Sequence, residues 1–203
     1  MKKLLLGIFA VVLINSVSFA DTVGFGIKGG GGGNRPDSLK SYESEYQGDL
    51  TKNPLFMGFE LMFEKDLMGN YDKEIGSAVK LGIKIGIDIY GTNELKDSPL
   101  YIDTKEDTIG VPLSLYLKYD NDLSFYVGGG ISYFSTTMTY GSADRKDGRF
   151  TPHLMSGIEV RCSPSFAIGL DFQYNFNARV EKGGVIYSDR SGLQGALAAR
   201  FYF

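Results

Sequence analysis

The sequence predicts an all-β fold, eight antiparallel strands in up-and-down order closed into a barrel. Three observations carry this. Large apolar side chains recur at every second residue in eight separate segments, which is the two-residue period of a strand with one oily face. The connections between those segments run long, short, long, short to the end of the chain. No segment carries the period of an amphipathic helix.

The clearest alternation spans 165–176, where Phe166, Ile168, Leu170, Phe172, Tyr174 and Phe176 alternate with Ala167, Gly169, Asp171, Gln173 and Asn175. The other segments follow in chain order. Residues 1–20 have a leader pattern: Lys2 and Lys3, an apolar run over 4–13, then Ser18-Phe19-Ala20 with small residues at both recognition positions. This predicts a secretory signal peptide cleaved after Ala20. The apolar run is short for a spanning helix, and no cysteine follows the site to take a lipid. The barrel domain is then residues 21–203.

The first strand, 22–30, sets Val23, Phe25 and Ile27 against Gly24, Gly26 and Lys28. A long connection over 31–53 follows, opening in a run of five glycines, Gly29 to Gly33. The second strand, 55–65, alternates Leu55, Met57, Phe59, Leu61 and Phe63 with Phe56, Gly58, Glu60, Met62 and Glu64. Residues 68–72 are a turn cluster. The third strand, 78–90, opposes Val79, Leu81, Ile83, Ile85, Ile87 and Ile89 to Lys80, Gly82, Lys84, Gly86, Asp88 and Tyr90.

The second long connection, 91–107, holds five acids (Glu94, Asp97, Asp103, Glu106, Asp107) and two lysines (Lys96, Lys105). The fourth strand, 109–119, shows Val111, Leu113, Leu115 and Leu117 on its oily face, and 120–122 is a tight turn. The fifth strand covers 123–139 and a third polar connection 140–149. The sixth strand, 150–161, ends at the Cys162-Ser163-Pro164 turn. The 165–176 segment is the seventh strand, 179–190 the fourth long connection, and 192–203 the last strand.

An eight-stranded barrel with this alternation is either a soluble carrier, oily inside, or a membrane barrel, oily outside. Three features favour the membrane form. The polar faces are crowded with Gly, Ala and Ser, as a tight lumen requires, where a solvated face would carry more charge. Short turns on one side and long loops on the other match outer-membrane barrels with both termini periplasmic. The strands are about ten residues or longer, enough to cross when tilted. Backbone groups left open in lipid cost several kcal/mol each, so the sheet has to close. Aromatics near the strand ends suit interfacial girdles: Phe63, Tyr119, Phe125, Phe166 and Phe201 on the turn side, Tyr133, Tyr174 and Phe176 towards the loops.

Two stretches, Leu123-Ser-Phe-Tyr-Val-Gly-Gly-Gly-Ile-Ser-Tyr133 and Gly157-Ile-Glu-Val-Arg-Cys-Ser-Pro-Ser-Phe-Ala-Ile-Gly-Leu-Asp-Phe-Gln-Tyr174, give the whole segment 21–203 a family resemblance. It resembles the small eight-stranded outer-membrane β-barrel proteins, the OmpA-barrel, OmpX and opacity-protein group. The terminal Phe203 with Phe201 looks like the signal read by the barrel-assembly machinery, with Ala198 where a glycine is common. With no peptidoglycan-binding domain after the last strand, the chain is similar to the barrel-only members. The resemblance implies an outer-membrane location in a diderm bacterium and contact with lipid and lipopolysaccharide.

With the polar faces turned inward, the ionisable lumen residues are Lys28, Glu60, Glu64, Lys80, Lys84, Asp88, Lys118, Glu159, Arg161, Asp171 and Arg200, six positive and five negative. Near-balance in a confined space predicts ion pairs that plug the lumen; the alternative is a narrow ion path, a small porin or channel. Removing Lys2 and Lys3 with the leader takes the net charge from −3 to −5, which argues against a nucleic-acid partner.

Other motifs carry little chemistry. Gly24-Phe-Gly26-Ile-Lys-Gly29 fits G-x-G-x-x-G, but no helix follows to receive a pyrophosphate. His153, the single histidine, falls on the inward face with Met155 two residues on, and no Ser-His-acid set assembles around it. A lipid-modifying enzyme is therefore the weakest reading, and the expectation is no enzyme, no cofactor and no metal site. Cys162, the single cysteine, excludes an internal disulfide; it is read as a buried or turn-side thiol rather than an intermolecular link. The acidic connection around Asp103, Glu106 and Asp107 is either a solvated loop or a cation site bridging lipopolysaccharide phosphates. The sequence reading is of a monomer with a structural and surface-interaction role, offering four external loops to host, matrix or phage.

Overall fold

A computed structural model describes residues 20–32, 49–51, 54–67, 78–96, 104–140, 143–182 and 185–203. The leader through residue 19, Gly33 with the 34–37 polar run, the 68–72 turn cluster, and Asp97 and Asp103 lie outside the described residues. Among the described residues twelve strands form: β1 (Thr22–Gly32), β2 (Asp49–Thr51), β3 (Leu55–Asp66), β4 (Ala78–Tyr90), β5 (Asn93–Lys96), β6 (Thr104–Asp120), β7 (Leu123–Tyr140), β8 (Ala143–Ser163), β9 (Phe166–Asn175), β10 (Arg179–Lys182), β11 (Val185–Asp189) and β12 (Gly192–Tyr202). Eight of them are staves, joined in the cyclic order β1-β3-β4-β6-β7-β8-β9-β12, with β12 back on β1 and the β6–β7 pairing completing the ring. Every stave pairing is antiparallel.

The two-residue period sets which face is which. On β12, Leu193, Leu197 and Phe201 are exposed while Gln194, Ala196, Ala198, Arg200 and Tyr202 are buried. Antiparallel register stacks like on like: Leu170 lies between Ile158 and Leu197, and Phe25 between Phe201 and Leu61. The result is a closed sheet with its large apolar side chains outside and its charges inside, the inverse of a water-soluble protein and the arrangement a lipid solvent selects. Ring pairs flank the belt: Phe166 with Phe201 at 5.1 Å on the turn side, Tyr133 with Phe150 at 4.8 Å and Tyr174 with Phe176 at 4.9 Å on the loop side. Phe63, grouped with the turn-side aromatics by its phase, is 2% exposed.

Several connections are more ordered than the polarity of their sequences suggests. Residues 140–149, expected as a loop, are mostly strand, because β7 runs to Tyr140 and β8 begins at Ala143. The β-branched run Thr136, Thr137 and Thr139 favours extended backbone. Thr139 pairs opposite Asp144 and donates its Oγ1 to that carboxylate at 2.9 Å. The expected second connection contains β5 and the start of β6, the fourth contains the β10–β11 ribbon, and β2 pairs with β5 outside the ring. The β4–β6 ladder has no pairing at Gly86 and Ile87, opposite Pro112, which has no N–H to give.

Candidate functional site in the barrel lumen

All eleven ionisable residues that the alternation turns inward sit in ion pairs. At the turn end, Lys80 Nζ lies 2.8 Å from Asp120 and 3.6 Å from Glu64, and Arg161 Nη2 lies 2.9 Å from Asp120. One layer up, Lys118 Nζ bridges Glu159 at 2.9 Å and Glu64 at 3.3 Å. Tyr116 donates its hydroxyl to Glu64 at 2.8 Å and Tyr202 donates to Glu159 at 2.7 Å.

Arg200 is the hub of the lumen. Its Nε donates to Glu60 at 2.6 Å, its Nη1 to Glu159 at 3.1 Å and its Nη2 to Asp171 at 2.5 Å. Tyr126 also donates to Asp171, and Lys84 Nζ lies 3.3 Å from Asp171 and 3.4 Å from Glu60. Above the hub, Lys28 and Asp88 pair at 2.8 Å. Glu60, Glu64, Lys118, Glu159 and Arg200 are each 1% exposed, so none of these charges retains a hydration shell and each depends on its partner.

Glycine makes the room. A Cβ on Gly82 would stand 2.2 Å from the Tyr116 ring, and one on Gly157 would stand 2.2 Å from the Tyr126 hydroxyl. The small residues on the polar face thus occupy the positions facing the large lumen side chains. Two voids beside the network measure about 10 Å³ each, room for roughly one water.

Alternation alone left several participants unnamed. Asp120, read as a turn residue, has the inward phase of Lys118 and is the shared anion of Lys80, Lys118 and Arg161. Tyr202 has the phase of Arg200. The same counting by twos, carried one step into the turn and to the chain end, finds both. Tyr116 and Tyr126 also follow the phase of their strands.

His153 is buried on the inward face and bonded on both nitrogens, Nε2 to Ser114 Oγ at 2.8 Å and Nδ1 to Ser132 Oγ at 2.9 Å. Two serines therefore flank the ring, with no carboxylate on either nitrogen, which is not the arrangement that activates a nucleophile. Cys162 is exposed, at an irregularity where the β8–β9 register shifts between Arg161 and Ser163. It is the turn-side form of the two thiol readings. Phe201 and Phe203 both face outward, and Phe203 exchanges backbone hydrogen bonds with Val23 at 2.8 and 3.3 Å.

The acidic stretch divides. Asp107 is exposed and accepts from Thr92 at 2.6 Å. Glu106, grouped with it as a loop acid, is instead a buried residue of β6. It accepts from Ser188 at 2.7 Å and from Asn93 and Thr108, and lies 3.6 Å from Arg190 Nη2. The reason is parity: once β6 begins at Thr104, Glu106 shares the inward phase of Thr108. Among the described residues, no group of three or more His, Cys, Asp or Glu is arranged to hold a metal ion.

A family model described as the outer membrane protein beta-barrel domain matches residues 7–201. The chain belongs to this family. Its fold is that of the small eight-stranded outer-membrane β-barrels, and its location is the bacterial outer membrane. Solved barrels similar to it include Neisserial surface protein A, at 14% identity and TM-score 0.43, covering 89% of this chain and 95% of that one. Ail, the attachment invasion locus protein of Yersinia pestis, is similar at 11% identity and TM-score 0.46, covering 91% and 99%. OprG from Pseudomonas aeruginosa is similar at 11% identity and TM-score 0.48, covering 90% and 94%. No curated protein matches the sequence.

Proposed function

We propose that this outer-membrane barrel works as a structural and surface-interacting protein with a plugged lumen, and not as a channel. The observation that carries the reading is Arg200, whose guanidinium meets the carboxylates of Glu60, Glu159 and Asp171 at once. One cation tied to three strands across an eight-stranded barrel leaves little section for ions to pass. Conductance of the purified protein in planar bilayers tests it. The expected trace is flat, and steady single-channel steps would establish the porin reading instead.

The working surface on this reading is external. The β7–β8 hairpin carries Asp144, Lys146, Asp147 and Arg149 exposed, and charged side chains at a hairpin end suit contact with a polar partner rather than lipid. An epitope inserted between residues 141 and 142 should be detected by antibody on intact cells. The flanking His153 serines support a non-enzymatic role. Export by a leader cleaved after Ala20, recognition of Phe201 and Phe203 by the assembly machinery, and a monomeric state complete the proposal. Intact mass of the membrane-extracted protein should correspond to residues 21–203, and removal of Phe203 should slow assembly without altering the refolded barrel.

A further inference from the structure

The barrel closes where β12 meets β1, and little within that seam fixes how far one strand slides along the other. An antiparallel ladder repeats every two residues, so a slide of two satisfies the backbone equally well, and register is weakly specified in glycine-rich strands. Above Thr22 the inward face of β1 offers Gly24, Gly26, Gly30 and Gly32, and its one long side chain, Lys28, pairs with Asp88 of β4 rather than with β12. On the lipid face Phe25, Ile27, Gly29 and Gly31 stand opposite Phe201, Ala199, Leu197 and Gly195. Lipid accepts such apolar pairs in any register of the same parity.

One slide of two also keeps a glycine where the backbones come closest. A Cβ on Gly30 would overlap the Gly195 carbonyl and the Ala196 backbone, and bringing Gly32 opposite Ala196 supplies another glycine there. The same slide sets Gly29 opposite Ala199 and Lys28 opposite Arg200.

Arg200 opposes it. In the native register Gly26 has Glu60 of β3 directly opposite on one side and Arg200 of β12 on the other. The two side chains meet over it, Arg200 Nε donating to Glu60 at 2.6 Å. A Cβ on Gly26 would stand 2.7 Å from Glu60 Cγ, so the glycine is a saddle for the bridge. The remaining guanidinium nitrogens hold Glu159 on β8 and Asp171 on β9 at 3.1 and 2.5 Å, on the β12 side of the seam. A slide of two carries Arg200 about 7 Å along the strand from Glu60 and sets a second cation, Lys28, beside it. A neutral bond from Tyr90 to Gln194 at 3.1 Å also passes over β1, but a charged bond is roughly twice as strong.

We propose that the Arg200–Glu60 bridge sets the register in which the barrel closes, a role in assembly separate from filling the lumen. β1 and β12 are the first and last staves, so their seam forms only when the sheet becomes a ring, and the bridge spans that seam.

Disulfide formation reads the register in barrels isolated from the outer membranes of cells expressing the full chain, in a Cys162→Ser background. Gly29→Cys with Leu197→Cys reports the native register, and Gly29→Cys with Ala199→Cys the slid one. Directly opposite residues are within disulfide reach, whereas an offset of two sets them about 7–8 Å apart, too far to bridge. With Arg200 and Glu60 intact, oxidation should close 29–197 and not 29–199. In Arg200→Ala, and in Glu60→Gln, which leaves Arg200 its contacts with Glu159 and Asp171, part of the 29–197 product should be lost and 29–199 should appear. Lys84→Ala is the control. It takes a cation from two of the same acids, Glu60 and Asp171, but from β4, away from the seam, and should give 29–197 alone.

The 29–197 product alone in folded Arg200→Ala overturns the proposal; where that variant gives no folded barrel, the same result in Glu60→Gln does so. The 29–199 product in the control also overturns it, because any loss of hub charge then loosens the seam. Folded variants that form neither product overturn it as well, the bridge then shutting the seam without choosing its register. So does failure of both variants to fold where Lys84→Ala folds, the bridge then being needed for the barrel as a whole. Conductance plays no part in the readout, so a wrong register assignment and a conducting lumen are separate failures.

Discussion

The inner network around Arg200, a cation donating to three acids, and the outer cluster around Glu106, an acid collecting donors, are both buried, but they are built differently. Every partner of Arg200 comes from a stave of the ring: Glu60 on β3, Tyr126 on β7, Glu159 on β8 and Asp171 on β9. The partners of Glu106 include Ser188 and Arg190, from a connection that pairs with no stave. The first cluster is held wherever the barrel is closed. The second also takes Asn93 of β5 and Thr108 of β6. Charges deep in the ring therefore tie stave to stave, whereas the Glu106 cluster ties the ring to a connection.

The largest break is expected at the hub. Arg200→Ala leaves Glu60, Glu159 and Asp171 facing one another, and breaking a buried pair in this way costs about 3–5 kcal/mol. Urea unfolding of the refolded barrel measures it. Adding Asp171→Asn should recover part of the loss, because the orphaned charge is then smaller; no recovery would mean that the arginine acts through packing. Glu106→Ala should leave the same unfolding midpoint much closer to wild type, and an equal loss at both sites would erase the distinction drawn between them.

Next in size is the outer face. Leu170 is exposed on β9 between Ile158 and Leu197, and Leu170→Arg sets a cation against the bilayer interior at a cost of about 2–4 kcal/mol near the midplane. Heat-modifiable migration after insertion into vesicles reads the effect. Arginine at 170 on one face should be damaging where arginine at 200 on the other is required, and normal assembly of the variant would place Leu170 in the lumen.

The same asymmetry explains what could be read from the chain. A strand has a period of two, so Lys28 through Arg200 could be assigned to one face by counting, and closure in lipid then left that face as the lumen. Counting also reaches Asp120 and Tyr202 once the strands are allowed their last residue. It fails at 140–149 and at Glu106, because in those stretches polarity has the look of a loop. Outside the bilayer both faces of a strand meet water, so the Asp144–Arg149 stretch is strand without being oily on either side. The docking of Ser188 and Arg190 has no periodic signal at all. It depends on where a connection folds back, which is set by the tertiary structure and not by local pattern.

A smaller effect tests how closely the lumen is packed. Gly157 faces Tyr126 and the Leu170 carbonyl, at 2.2 and 2.5 Å from where a Cβ would stand. Gly157→Ala should cost about 1–3 kcal/mol by overpacking, and the paired change Gly157→Ala with Tyr126→Phe should relieve part of it by removing the nearest atom. Gly29 has only the Phe56 carbonyl at 3.9 Å, so Gly29→Ala is the matched change with space available and should unfold at nearly the wild-type urea concentration.

The least effect is expected at the turn-side rim, where the same ion-pair chemistry occurs in water. Asp21 and Lys65 pair at 3.0 Å with both side chains exposed. The hydrogen bond from Lys65, with a second from the Asp66 N–H, holds the Asp21 carboxyl below the usual carboxylate range. A carboxyl depressed in the folded state contributes stability above its unfolded pKa and loses it as pH falls through the folded value. Here solvent screens that contribution to very little. Asp21→Asn should therefore leave the urea midpoint unchanged, both at neutral pH and on acidification. A clear shift in either would mean that the rim pair is shielded from water like the pairs inside, and that burial is not what separates the hub from the edge.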